Sequence, residues 1–209
     1  MNRQEQVSAY WGRQDATLRS MFLNPNAQYL ENHEKPEIIS YFPNLKGKKI
    51  LELAAGIGRF TRYFATTCDS VTAVDITAQF IEKNRQDHAD CKNATFICSD
   101  AMNLEFPDNS YDFIFFNWLF LYLDDSEVEL LMDRIHAWLK PNGELFFRET
   151  CKLIRSTSMF PGYFANYRTL SYYDSLVKKR FHLLKEGHIK TYVDCFGDPL
   201  QGFWHCQKT

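Results

Sequence analysis

The sequence predicts an α/β fold built on a mostly parallel sheet with helices on both faces. Three observations carry this expectation. Short apolar runs alternate with helical patterns between Ile50 and Phe147. A small-residue loop, Ala54-Ala55-Gly56-Ile57-Gly58, joins the first apolar run to a helix. Two late strand-like runs, Phe181 to Lys185 and Phe203 to Gln207, follow as in sheets closed by an antiparallel hairpin.

Residues 4 to 22 carry helix formers, with Val7, Tyr10, Leu18 and Phe22 near one face, and read as a covering helix or helix pair. Asn24-Pro25-Asn26 breaks it, and a helix is expected around Pro36 to Tyr41. Strand one is Ile50 to Leu53, followed by a helix over Arg59 to Thr67. Strand two is Val71 to Val74, followed by a helix over Thr77 to His88. Ala94 to Cys98 and Tyr111 to Phe116 are strands three and four. Ser126 to Leu139 is amphipathic, with Asp124 or Asp125 near its N-cap and Val128, Leu131, Ile135 and Leu139 at helical spacing. Pro141-Asn142-Gly143 turns into strand five, Glu144 to Phe147. Residues 152–180 interrupt the pattern with Ser, Pro, Gly and several tyrosines.

A chain of 209 residues suits one α/β domain. Hydrophobic residues at 45% and charged residues at 24% are ordinary globular usage, so order is expected. A formal net charge of -2 with no basic block disfavours nucleic acid as a partner. No apolar run reaches the roughly 20 residues of a membrane span, and the opening residues lack the apolar stretch of a secretory signal. The six cysteines show no paired spacing, which suits free thiols in a reducing compartment. A cytoplasmic monomer is the expectation. The histidines show no metal-ligand spacing, so no metal is expected.

In open α/β sheets ligands bind beyond the carboxyl ends of the strands. Strand one runs into Glu52, then Gly56 and Gly58, which admit a ligand close to the backbone. Strand two ends at Asp75, suited to paired ribose hydroxyls. Asp100 and Ala101 follow strand three, and Asp100 can accept from an adenine amino group, with Ile76 and Met102 flanking the ring. Asn117 and Trp118 follow strand four. A dinucleotide fingerprint wants a third glycine near the helix start, where Phe60 and Thr61 stand instead.

This glycine loop, with acids at successive strand ends, resembles the first motif of Rossmann-like S-adenosylmethionine (SAM) methyltransferases. Further wording resembles the first catalytic domain of phosphoethanolamine N-methyltransferases: Glu34-Lys35-Pro36-Glu37-Ile38-Ile39, Gly56-Ile57-Gly58-Arg59-Phe60-Thr61, Asn117-Trp118-Leu119 and Phe146-Phe147-Arg148-Glu149-Thr150-Cys151. The opening Tyr10-Trp11 and the closing run from Phe203 to Lys208 are similar too.

The resemblance implies a seven-stranded, mostly parallel sheet with an antiparallel last strand and an N-terminal helical cover over residues 1–45. It implies one methyltransferase domain over 1–209, with 152–180 as a substrate-binding insertion. SAM would donate a methyl group to the amine of a small-molecule acceptor, phosphoethanolamine. The cofactor site would comprise Tyr10, Glu52, Gly56, Gly58, Asp75, Ile76, Asp100, Ala101, Asn117 and Trp118. Tyr10 and Tyr122 take the catalytic positions, as orienting and proton-relaying groups; at the second, single-domain relatives carry a histidine. Tyr163, Tyr167, Arg168 and Tyr173 are implied for the phosphate, so Arg168→Ala is expected to raise the acceptor KM. Ala54 stands where many relatives have glycine, and Asp194, Gly197, Asp198 and Pro199 stand where relatives place lysines. Two alternatives remain: another acceptor, such as a different small amine or a protein N-terminus, and a methyltransferase-like subunit without chemistry.

Overall fold

The computed structural model describes residues 2–157 and 163–209. Three helices come first: α1 (Arg3–Trp11), α2 (Leu18–Phe22) and α3 (Ala27–Ile39). The alternating body follows as β1 (Lys49–Leu53), α4 (Thr61–Thr67), β2 (Ser70–Asp75), α5 (Ala78–Asp87), β3 (Ala94–Cys98), β4 (Tyr111–Asn117), α6 (Asp125–Trp138) and β5 (Leu139–Thr150). A two-stranded ribbon, β6 (Ser156–Thr157) with β7 (Asn166–Tyr167), precedes α7 (Leu170–Lys178), β8 (Phe181–His188), α8 (Lys190–Phe196) and β9 (Gln201–Lys208).

The main sheet has seven strands in the order β3-β2-β1-β4-β5-β9-β8. Strands β1 to β5 pair in parallel, while β9 runs antiparallel to both β5 and β8. Parallel strands covered on both faces must be apolar on both sides. That is why Ile50, Leu51 and Leu53, and Phe113 through Phe116, are all nearly inaccessible. The order reverses between β1 and β4, so their carboxyl ends open a crevice.

One face carries α6, with Val128, Leu131, Met132 and Ile135 packed on Leu51, Ile114 and Phe147. On the other, Leu30 and Ile38 of α3 meet an aromatic cluster of Phe60, Phe64, Phe113, Phe115 and Phe146. Much of the phenylalanine content is therefore core, each ring contributing about 1.5–3 kcal/mol through burial.

The expected covering segment is a helix pair, because the chain turns at Gly12 and restarts with Thr17 accepting from the Ser20 amide. Other elements differ from expectation. Helix α3 begins well before Pro36 and carries that proline inside it. Its buried stripe of Ala27, Leu30, Glu34 and Ile38 outweighs the backbone bond that proline forfeits. Residues 170–178 form a helix capped by Thr169, which buries Tyr173, Leu176 and Val177.

Candidate active site

The carboxyl ends of β1 to β4 and the covering helices enclose a cavity of about 310 Å³. Glu52, Gly56, Asp75, Ile76, Asp100, Ala101, Asn117, Trp118, Tyr122, Tyr163 and Tyr167 all line it, so the strand tips converge as expected. Sequence reasoning did not place Arg3, Trp11 or Arg59 there, yet each contributes to the wall. Val7 and Trp11, four apart on α1, were the available signal for that helix's inward face.

The loop after β1 holds Ala54, Gly56 and Gly58 at φ of 50°, 55° and 88°. An L-residue in that region costs about 1–2 kcal/mol, so Ala54 is a strained stand-in for glycine. Asp75 organises the loop: its Oδ2 accepts from the Gly56 amide and its Oδ1 from the Thr77 amide, both at 2.8 Å. Burial pushes its carboxyl above the ordinary range, and the amides pull it partly back.

Asp100 is also engaged. Its Oδ1 accepts from the Met102 amide, and its Oδ2 from Arg3 Nη2 at 2.9 Å. Arg3 Nε donates to Glu127 at 2.9 Å, so α1 is pinned across the end of β3. Met102, expected beside a purine ring, packs against the α6 side of the core.

Trp118 has φ of 58° and lies with its ring 3.6 Å from the Arg148 guanidinium. Arg148 also donates to Asn117 Oδ1 at 3.3 Å, leaving the buried Asn117 Nδ2 without a partner among the described residues. Arg148 and Glu149 do not pair with each other. Glu149 accepts the amides of Leu119, Phe120 and Leu121, which fixes the turn carrying Tyr122. The Tyr122 and Tyr163 hydroxyls are 3.2 Å apart. Burial pushes both phenols well above the ordinary tyrosine range, so both stay protonated.

Four site expectations are corrected by the geometry. Tyr10 does not line the cavity; its ring packs on Tyr163 at 4.7 Å, and Trp11, one residue on, faces inward instead. Gly58 does not face the cavity either, since a Cβ there meets Asn84 and His88 of the α5 region. Tyr173 is fully buried in the core between Phe120 and Trp204.

Arg168 is fully enclosed and already spent on protein groups. Its Nε donates to Asp125, its Nη1 to the Phe120 carbonyl and its Nη2 to the Leu123 carbonyl. It braces the turn behind Tyr122 and offers no fork to a phosphate. Arg168→Ala is therefore expected to cost about 2–3 kcal/mol of stability, read by urea unfolding. An unchanged midpoint with a raised acceptor KM would restore the phosphate role.

Among the described residues, no cluster of potential metal ligands occurs, and no helix is long and apolar enough to cross a membrane.

Sheet order, glycine loop and strand-tip acids together define a class I methyltransferase, and residues 50–143 match the family described as methyltransferase domain. A phosphoethanolamine N-methyltransferase of Triticum aestivum is 45% identical over 151 residues, which is 70% of this chain and 30% of that protein. Phosphoethanolamine N-methyltransferase 1 of Caenorhabditis elegans is 29% identical over 227 residues, 99% of this chain and 48% of that protein. The solved structure of the Haemonchus contortus phosphoethanolamine N-methyltransferase 1, in complex with phosphoethanolamine and S-adenosylhomocysteine, matches with TM-score 0.92 at 29% identity. That match covers 99% of this chain and 49% of the other. The chain thus spans half or less of the length of these relatives. Over most of its length it is similar to phosphoethanolamine N-methyltransferases, within the class I methyltransferase fold.

Proposed function

We propose that the chain is a SAM-dependent N-methyltransferase whose acceptor is the amine of phosphoethanolamine. The observation that carries this reading is the strand-tip cavity, lined by both acids and phenols, in a fold whose solved relative holds S-adenosylhomocysteine and phosphoethanolamine. Residues 1–45 then act as cover and 152–180 as the acceptor side, in a cytoplasmic monomer.

The residues fit the cofactor. Gly56 brings bare backbone to the cavity edge, Asn117 Nδ2 is a buried donor unused among the described residues, and Glu52 and Asp75 suit a ligand bearing cationic and hydroxyl groups. When bound, SAM supplies an electrophilic methyl group on a sulfonium.

The acceptor must arrive as a neutral amine, which at pH 7 costs roughly 4 kcal/mol for a pKa near 10. Burial keeps Tyr122 and Tyr163 protonated, so these two orient rather than abstract. Between Tyr122 and Tyr163 one hydroxyl donates to the other, leaving a second O–H to aim at an acceptor oxygen. Both arginines of the wall are engaged: Arg3 by Asp100 and Glu127, Arg59 by Glu31 and Glu34. Phosphate recognition therefore falls to neutral donors, principally Tyr122, Tyr163 and Tyr167. The ring faces of Trp11 and Tyr122 favour positive charge at the reacting nitrogen, by about 0.5–2 kcal/mol each.

The deciding experiment is methyl transfer from labelled SAM to phosphoethanolamine, ethanolamine and peptides with a free amino terminus. Transfer to peptides alone overturns the acceptor, and failure to bind S-adenosylhomocysteine in calorimetry overturns the enzyme. A pH signature accompanies the cofactor reading. Burial pushes Glu52 up to about 8, with Thr61 and Lys35 pulling less strongly the other way. A cationic ligand beside Glu52 favours its carboxylate, so binding at pH 7 releases a proton and affinity rises as pH climbs toward about 8. Calorimetry in buffers of different ionisation enthalpy measures that proton; zero release contradicts the assignment.

A further inference from the structure

Gly58 belongs to the cavity loop, yet the space its missing side chain leaves is used on the far side. Its φ is 88°, and a Cβ there would lie 2.2 Å from Asn84 Oδ1 and 2.7 Å from His88 Cε1. What the glycine admits is a line of buried polar groups. His88 Nδ1 is 2.8 Å from both the backbone oxygen and the Oδ1 of Asn84, two acceptors, so Nδ1 carries the proton. Asn84 Nδ2 donates to Thr61 Oγ1 at 3.0 Å, and Thr61 Oγ1 donates to Glu52 Oε2 at 2.6 Å. Thr61 and Asn84 are fully buried, Glu52 is 1% exposed and His88 7%.

Every donor in this line points towards Glu52. That carboxylate lines the cavity, and among the described residues no hydrogen bond reaches its Oε1. Apolar side chains at 61 and 84 would avoid the desolvation cost of a hydroxyl and an amide. A fully satisfied polar line in that place fixes geometry instead.

We infer that Thr61, Asn84 and His88 are positioning residues for Glu52. They hold Oε2 from behind and turn Oε1 into the cavity, where it meets the ammonium of an amino-acid-type ligand. The inference rests on the cofactor reading above. It also divides the work of the loop: Gly56 serves the cavity, and Gly58 serves the brace.

The test is S-adenosylhomocysteine binding by calorimetry, with steady-state kinetics, on the full chain. Thr61→Val keeps the shape without the hydroxyl. It should raise the Kd about tenfold or more, and raise the KM for SAM in parallel with the acceptor KM unchanged. Thr61→Ser should bind within about threefold of wild type. Asn84→Ala, which frees the hydroxyl to turn, should raise the Kd by about threefold or more. Unchanged binding by Thr61→Val, or equal loss in Val and Ser, overturns the brace. If Thr61→Val does not fold, an unchanged Kd in Asn84→Ala overturns it alone. Failure of the wild-type chain to bind S-adenosylhomocysteine overturns the cofactor reading instead.

Discussion

Glu34→Ala is expected to lower folding stability by about 3–5 kcal/mol, seen as a large fall in the urea midpoint. Glu34 is fully buried on α3, with Oε1 accepting from Arg59 and Oε2 from Arg148, each at 2.8 Å. Both guanidinium groups are buried as well, with side-chain exposures of 7% and 0%. Truncating the carboxylate strands two cations in the interior, and that penalty exceeds the worth of the pair itself. Burial alone would push the Glu34 carboxyl up, but Arg148 and Arg59 outweigh it and hold it below the ordinary carboxylate range. A depressed folded-state pKa adds stability above the unfolded value, and the gain is lost as pH falls through the folded one. Glu34→Gln should fall between, keeping hydrogen bonds without charge. A loss under about 1 kcal/mol for Glu34→Ala would show that the two arginines repair the gap themselves.

Asp75→Ala is expected to weaken S-adenosylhomocysteine binding by about a hundredfold, close to 3 kcal/mol. The side chain does two jobs at once. It faces the cavity, where the proposed ribose would sit, and it accepts the Gly56 and Thr77 amides that shape the glycine loop. Each amide left unsatisfied costs about 1–3 kcal/mol, so the loop relaxes and the melting temperature falls with the affinity. Asp75→Asn separates the effects: its amide oxygen can still serve Thr77, while its NH2 opposes the Gly56 N–H. Calorimetry beside thermal unfolding reads both. An Asp75→Ala chain binding within tenfold of wild type would remove Asp75 from the cofactor site.

The parallel strands were legible because burial on both faces leaves nothing but apolar residues to read. Ala94 to Cys98 is bounded identically in sequence and structure, and α6 announces itself through Asp124 and its reciprocal cap with Glu127. The strand-tip acids were legible for a related reason: a carboxylate ending an apolar run has few structural uses. Pro36 misled, because tertiary packing of α3 overrides a local breaker. Arg168 and Gly58 misled differently. Residue type announces an arginine fork or a permissive φ, but not which atoms will approach it. The ion pair from Glu34 to Arg148 joins residues 114 positions apart, and no local pattern encodes such a tie.

Strand β9 inserts between β5 and β8, although residues 201–208 are made after both. A ribosome must therefore release nearly all of these residues before the sheet's far edge can close. Until then β5 shows a bare, phenylalanine-rich border to solvent, the kind of surface that invites chaperones and aggregation. Nascent chains stalled near residue 190 should be protease-sensitive where a chain that includes residues 201–208 is resistant.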